Sequence, residues 1–447
     1  MPQQKWIAGK TAADIASSIE RGLHRGRTGG GDSLPTVREL AENLAVSPAT
    51  VAAAYKLLRM RGLISGQGRR GTRVASRPPT PSAARHAPVP ENAVDLATGN
   101  PDPTLLPPLE PALRTISPAP RLYGDPPHVR DFLGFAAGEF EADKVDARWL
   151  TVVSGALDGI ERTLREHLRS GDRVAVEDPS FPGIVDLLRA SGCAAVPFAV
   201  DGEGPVPEQL EAALRRGCEA LVVTPRAQNP TGGAITPRRA TDLHRVLKRF
   251  PDPVLIENDY AGPISGAPAT TLCDGTRQRW AVIRSTSKFL GPDLRVAVMA
   301  GDEMTIARVQ GRQALGARWV SGILQQLALA TWSDPSSARR LARAAEIYTQ
   351  RRTALVAALG ARGIQAHGVS GLNVWVPVSD ESSIVRGLAE QGWAVAAGER
   401  FRISASPGIR ITIATLTPPE AERFSDALAE VWRATSPYST AYSTTPS

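Results

Sequence analysis

The 447-residue chain predicts two domains, a small helical one at the N-terminus and a large α/β one with a mainly parallel sheet. Three observations predict this. Residues 77–92, RPPTPSAARHAPVPEN, are rich in proline and alanine with no helical or strand period, and read as a linker with stiff, extended stretches. Before that linker the charge is strongly basic: residues 1–77 hold 13 Lys+Arg against 5 Asp+Glu, while the remaining 370 hold 39 against 40. After it, short apolar runs alternate with helical stretches, the pattern of a sheet layered with helices.

Composition narrows the class further. An apolar content of 42% suits a soluble globular protein. No apolar run of about 18 residues suggests a membrane span, and Met1-Pro2-Gln3-Gln4-Lys5-Trp6 lacks the apolar core of a signal peptide. Cys193, Cys218 and Cys273 are scattered, with neither a disulfide framework nor metal-ligand spacing, which fits a cytoplasmic location. The expected boundaries are 1–76 for the first domain, 77–92 for the linker, 93–434 for the second domain and 435–447 for a disordered tail rich in Ser, Thr, Pro and Tyr.

In the first domain, residues 11–25 put Ile15, Ile19 and Leu23 on one helical face. Ser33-Leu34-Pro35-Thr36-Val37-Arg38-Glu39-Leu40-Ala41 contains a second, short helix. Leu44-Ala45-Val46 then turns the chain to Ser47, a good N-cap, and Pro48, favoured at the first helical position. The helix that follows, to about Met60, places Val51, Tyr55 and Leu58 together. Two short helices joined by a tight turn make a helix-turn-helix, whose second helix points its N-terminal residues into the major groove. Leu63-Ile64-Ser65 and Thr72-Arg73-Val74 flank Gly66-Gln67-Gly68-Arg69-Arg70-Gly71, a two-stranded wing with a basic tip. The local charge suits a phosphate backbone, through counterion release. A merely solvated basic face, or a helical bundle for protein contact, is the alternative.

In the second domain, Arg173-Val174-Ala175-Val176, Ala220-Leu221-Val222-Val223, Val254-Leu255-Ile256 and Trp280-Ala281-Val282-Ile283 read as strands, with helices over residues 180–190 and 237–249 between them. Asn229, Tyr260 and Ser285 follow strands, where ligand groups gather in parallel sheets. The ordered set Asn229-Pro230-Thr231-Gly232, Asn258-Asp259-Tyr260, Ser285-Thr286-Ser287-Lys288 and Gly291-Pro292-Asp293-Leu294-Arg295 describes a pocket for pyridoxal phosphate held through an imine. That cofactor needs a lysine amine for its aldehyde, donors and positive charge for its phosphate, ring stacking, a partner for the ring nitrogen and donors to its 3-oxygen. Lys288 is the Schiff-base lysine in this reading; the alternative is a solvated surface lysine. Val152-Val153-Ser154-Gly155-Ala156-Leu157 ends a strand and opens a helix, so Ser154, Gly155 and Ala156 offer a phosphate cradle that Ser285, Ser287 and Arg295 complete. Phe181 stacks on the ring or lies in the core.

Residues 9–75 resemble the GntR family of winged-helix regulators, on Leu34-Pro35-Thr36-Val37-Arg38-Glu39-Leu40-Ala41, Val46-Ser47, Thr50-Val51, Ala54-Tyr55 and Gly71-Thr72. The resemblance implies that Arg38, Ser47, Thr50, Gly68, Arg69, Arg70 and Gly71 contact promoter DNA. Pro48-Ala49 stand where that family often carries an Arg or Asn, so the operator sequence does not follow. Residues 93–434 resemble fold-type I aminotransferases, with a mainly parallel sheet and a small C-terminal α+β subdomain. By that resemblance Asn229 and Tyr260 donate to the 3-oxygen and Arg410, in Gly408-Ile409-Arg410-Ile411-Thr412, grips an effector carboxylate. Tyr123, in Tyr123-Gly124-Asp125-Pro126, reaches the neighbouring subunit's phosphate, which implies a homodimer.

One position departs from the aminotransferase pattern. These enzymes place an Asp at the ring nitrogen, but strand alternation pairs Tyr260 with Asn258 and not with Asp259. Asn258 supplies a hydrogen bond without a charge; Glu257 substitutes only if the strand bulges.

The fusion of the two domains resembles the MocR subfamily over residues 9–434 and, within it, the PtsJ-like branch. The carrying residues include Leu122-Tyr123-Gly124-Asp125, Ser154-Gly155-Ala156-Leu157-Asp158, Val176-Glu177-Asp178-Pro179, Thr224-Pro225-Arg226-Ala227 and Trp319-Val320-Ser321. What this implies is a homodimeric transcriptional regulator that senses pyridoxal phosphate itself, or a small amine or amino-acid effector, in vitamin B6 or amino-acid control, with weak or vestigial transaminase activity. The rival is an active aminotransferase with an appended DNA-binding domain; a regulator that has lost its cofactor is a third reading.

Overall fold

The computed structural model describes residues 6–60, 63–65, 71–74, 89, 92–117, 119–273, 275 and 277–435. Most of the expected linker, the wing tip 66–70 and all but the first residue of the expected tail lie outside the described residues. The chain forms two compact units. The first takes the N-terminal described residues to Val74, with Leu168–Val174 and Gly183–Ala195; the second takes the rest.

At the N-terminus three helices form as their caps dictate. Thr11 and Asp14 close a capping box on α1 (Ala12–His24), and Thr36 and Glu39 close another on α2 (Val37–Leu44). Ala45, in the left-handed region at φ 50°, ends α2, and the chain re-enters a helix as α3 (Pro48–Met60). Ile15, Ile19, Leu40, Val51, Tyr55 and Leu58 are buried together, and the Tyr55 hydroxyl donates to Pro35 O at 2.7 Å. Strands β1 (Ile64–Ser65) and β2 (Arg73–Val74) pair antiparallel as the base of the wing.

The remaining strands are β3 (Val94–Leu96), β4 (Leu150–Val153), β5 (Arg173–Asp178), β6 (Ala194–Asp201), β7 (Gly204–Pro205), β8 (Ala220–Val223), β9 (Val254–Asp259), β10 (Trp280–Ser285), β11 (Ala297–Gly301), β12 (Asn373–Pro377), β13 (Trp393–Ala397) and β14 (Gly408–Thr412). Eight form one sheet in the order β4-β11-β10-β9-β8-β5-β6-β7. The pairs β8–β9 and β9–β10 are parallel, and β11 runs antiparallel to both its neighbours. Strands β8, β9 and β10 are buried at every position, which is why they read as unbroken runs rather than as alternation. A second sheet, β12-β14-β13-β3, packs with the helices Glu381–Glu390 and Pro418–Thr435 as the expected C-terminal α+β part. That β3, from the start of the large domain, joins this sheet parallel to β13 was not in the sequence pattern.

Three strands, β5, β9 and β10, run further than their apolar runs predict. β9 continues through Glu257 and Asp259 because both carboxylates are met inside the protein. Asp259 accepts from Arg226 Nε and Nη2, each at 2.8 Å, and from Arg284 Nε at 2.7 Å. Arg284 also reaches Asp143 and lies 4.7 Å over the Phe140 ring. β10 continues to Ser285, which is thus the strand's last residue rather than the first beyond it.

Removing the Asp259 carboxylate leaves two buried guanidiniums short of a counter-charge. Asp259→Ala is therefore expected to lower unfolding stability by about 3 kcal/mol, measured by urea denaturation at neutral pH. The two arginines hold this carboxyl below its ordinary range. Its contribution is then whole above about pH 4 and shrinks as pH falls below that, so the gap between wild type and variant closes on acidification.

Candidate cofactor and DNA-binding sites

Register assembles the large domain's site. Val153 pairs with Ala297 and Ala297 with Ser285, so the ends of β4 and β10 and the start of β11 lie side by side. The loops leaving them carry Ser154-Gly155-Ala156, Arg295 and Ser285-Thr286-Ser287-Lys288. Arg295 Nη2 donates to Ser154 O at 2.9 Å. Gly155 has φ 108°, and a Cβ there would lie 2.5 Å from Arg295 Nη2, so only glycine lets the guanidinium this close. The helix Ala156–His167 begins at once, with Asp158 accepting from Ser154 N at 2.9 Å. Ser285 Oγ bonds Ser287 Oγ at 3.1 Å and accepts from Ser287 N at 3.3 Å. A cation, two hydroxyls and a helix N-terminus thus converge on one corner.

Lys288 follows on the same loop, half-buried, with Nζ donating to Gly99 O at 2.7 Å. Burial, then the charge of Arg410, lowers its amine to about 8. Arg410 is buried on β14, donates through Nη2 to Ala97 O, and lies 4.9 Å over the Phe401 ring. Its Nε has no hydrogen-bond partner and no carboxylate pairs with it among the described residues. Burial pulls its guanidinium down to about 10.

The parallel neighbours supply the rest. Ile283 pairs with Asn258, placing Asn258 one strand from the lysine loop. Asn258 is buried and its Oδ1 has no partner; Asn229 Oδ1 is likewise buried and unpartnered. Glu257 does not take the place of Asn258: its oxygens accept from Leu272 N at 2.5 Å and Thr271 Oγ1 at 2.9 Å, and burial raises it to about 7. Tyr260 OH donates to Ala227 O at 2.5 Å, and burial raises the phenol. Phe181 is half-buried and lies outside the buried core. Tyr123 is 82% exposed, edge-on to Trp319 with centroids 5.8 Å apart.

Three parts of this site went unread in the sequence. Asp178, at the end of β5, accepts from Ile403 N, Ser404 N, Ser404 Oγ and Ala405 N at 2.7–2.8 Å, and so fixes the loop after Phe401. Ser370 Oγ accepts from Ala227 N at 2.8 Å, clamping the loop that carries Asn229. Gly99 is the third; a glycine before Asn100-Pro101 is a turn signal that could have found it.

In the N-terminal unit Arg38 is exposed on α2 and without a partner among the described residues. Ser47 and Thr50 open α3, their hydroxyls 2.8 Å apart and Thr50 N bonded to Ser47 Oγ at 3.1 Å. Gly71, exposed at φ 73°, precedes β2; Gly68, Arg69 and Arg70 lie outside the described residues.

Residues 128–428 match the family of aminotransferases of class I and II, and residues 11–74 match the bacterial regulatory proteins of the gntR family. The chain is 43% identical over 416 residues to the vitamin B6 salvage pathway transcriptional repressor PtsJ of Salmonella typhimurium, covering 93% of this chain and 96% of that one. It is 26% identical over 405 residues to the HTH-type transcriptional regulator TauR of Rhodobacter capsulatus, covering 80% and 81%. The α-aminoadipate aminotransferase LysN of Thermus thermophilus, solved with N-(5'-phosphopyridoxyl)-L-leucine, shares the large-domain fold at a TM-score of 0.67, with 22% identity over 77% of this chain and 93% of that one. The orphaned amides of Asn229 and Asn258, the Gly155–Arg295 corner and the Lys288 amine all fit pyridoxal phosphate as the cofactor of this domain.

Proposed function

The chain belongs to the gntR-family regulators of MocR type, which carry an aminotransferase class I and II domain, and we propose that it is a homodimeric, vitamin-B6-responsive regulator of promoter DNA in the cytoplasm. The observation that carries this is the pairing, in one chain, of an exposed Arg38 on the helix before α3 with a half-buried Lys288 near two buried, unpartnered amides, Asn229 and Asn258. Lys288 would bond the cofactor's aldehyde carbon. Ser154, Gly155, Ala156, Ser285, Ser287 and Arg295 would hold its phosphate, Asn229 and Tyr260 its 3-oxygen, Asn258 its ring nitrogen and Phe181 its face. When bound, the cofactor supplies an electrophilic carbon and a conjugated ring. Arg410, with no carboxylate of its own, suits an amino-acid effector's carboxylate by a two-pronged contact. Exposed Leu122, Tyr123 and Ile323 support a second copy against these residues, where Tyr123 would reach the neighbour's phosphate.

The test is the affinity of the full chain for its own upstream DNA, by fluorescence anisotropy, with and without pyridoxal phosphate. A change of about 5-fold or more is expected; equal affinities would remove the cofactor as a signal. Arg38→Ala is expected to weaken that binding by about 1–3 kcal/mol and to lower its salt slope by about one. Retained binding with an unchanged slope would take Arg38 off the DNA.

A further inference from the structure

The large domain begins with a short piece of chain that both site cations hold. At one end, β3 pairs with β13 through Asp95 and Leu96. At the other, Asp102 accepts from Arg351 Nη1 at 2.9 Å and Asp102 N donates to Tyr348 OH at 3.0 Å. Between these anchors the Asp95 carboxylate takes Ala97 N at 2.8 Å, Thr98 N at 3.0 Å and Thr98 Oγ1 at 2.6 Å, folding a tight turn. The carbonyls of that turn are then held from the site, Ala97 O by Arg410 and Gly99 O by Lys288. Gly99 sits at φ 72°, and a Cβ on it would meet Arg410 Nη1 at 3.2 Å, so the turn is shaped to the arginine.

We propose that residues 96–101 are a strap that competes with ligand for Lys288 and Arg410, and that its release reports occupancy to the N-terminal domain. The proposal rests on the regulator function above. It follows from competition. When the Lys288 amine bonds an aldehyde carbon, the aldehyde oxygen leaves as water and the nitrogen, left with at most one hydrogen, turns to the new carbon. A ligand carboxylate takes the Arg410 fork. The Gly99 carbonyl loses its donor and the Ala97 carbonyl must share Arg410 with the carboxylate, so ligand and held strap oppose each other, and that difference is what shifts a population. The chain entering the strap is the one that leads from the DNA-binding domain, so a freed strap changes the tether directly.

Hydrogen–deuterium exchange of the full chain tests this, with pyridoxal phosphate alone and then with L-leucine added. Peptides over 94–102 are expected to exchange about 5-fold faster or more once the visible cofactor band has formed. Unchanged exchange with the band present overturns the strap and leaves the regulator standing; no band and no DNA response overturn both. Asp95→Ala removes every acceptor of the turn and leaves the Lys288 and Arg410 side chains themselves unchanged. Its DNA affinity without ligand is expected near the wild type's ligand-bound value, with the ligand response reduced about 5-fold. Wild-type affinities in both conditions would overturn the proposal.

Discussion

Lys288→Ala is expected to give a protein with no visible band when pyridoxal phosphate is added, and with cofactor affinity lower by about 10²-fold or more. The phosphate corner is intact in this variant, because Arg295, Ser154 and the two serines are held by contacts that do not involve the lysine. Residual affinity measures the non-covalent contacts alone. Lys288→Arg separates the covalent bond from the charge, since arginine can still donate to Gly99 O but its guanidinium is no nucleophile at neutral pH. Only the neutral amine attacks, and Lys288 is lowered to about 8 by burial and the Arg410 charge. The rate of band formation in wild type should therefore rise with pH up to about 8 and then level. A rise that continues toward the ordinary lysine range would show an amine in water. A band in Lys288→Ala would place the covalent link elsewhere.

How much of this site could be read beforehand depends on how local its causes are. The helices of the first domain were legible because Thr11, Thr36 and Ser47 cap them within three residues, and Ile15, Ile19, Tyr55 and Leu58 repeat at helical spacing. Strands β8 to β10 were legible as apolar runs, but the ends of β9 and β10 were not. Glu257 and Asp259 look like the close of a strand until Thr271, Arg226 and Arg284 are brought to them from distant sequence. The alternative that Glu257 serves the ring was open in the sequence, because its engagement by Leu272 N comes from 15 residues further on. The strap was illegible for the same reason as the strand ends. Its partners Lys288 and Arg410 lie 189 and 313 residues along the chain, and nothing near Gly99 announces them.

Asn258→Asp is expected to raise half-transamination with amino acids by about 10²–10³-fold, followed as conversion of the visible band after mixing. A carboxylate at the ring nitrogen raises that nitrogen's affinity for a proton, and the protonated ring withdraws the electrons released when a substrate proton is lost. The wild-type amide carries no such charge. The substitution also has a signature that needs no turnover. Position 258 is buried between Glu257, already raised to about 7 by burial, and Asp259, already committed to two arginines. A third carboxylate has no counter-charge there until the ring nitrogen brings one. The variant should therefore unfold at lower temperature than wild type by itself and gain more than wild type from added pyridoxal phosphate, by linkage. Activity equal to or below wild type, with no larger stabilisation by the cofactor, would mean that Asn258 does not face the ring nitrogen. Gain of both would mean that a single neutral amide keeps an aminotransferase site as a sensor, holding its cofactor without spending it.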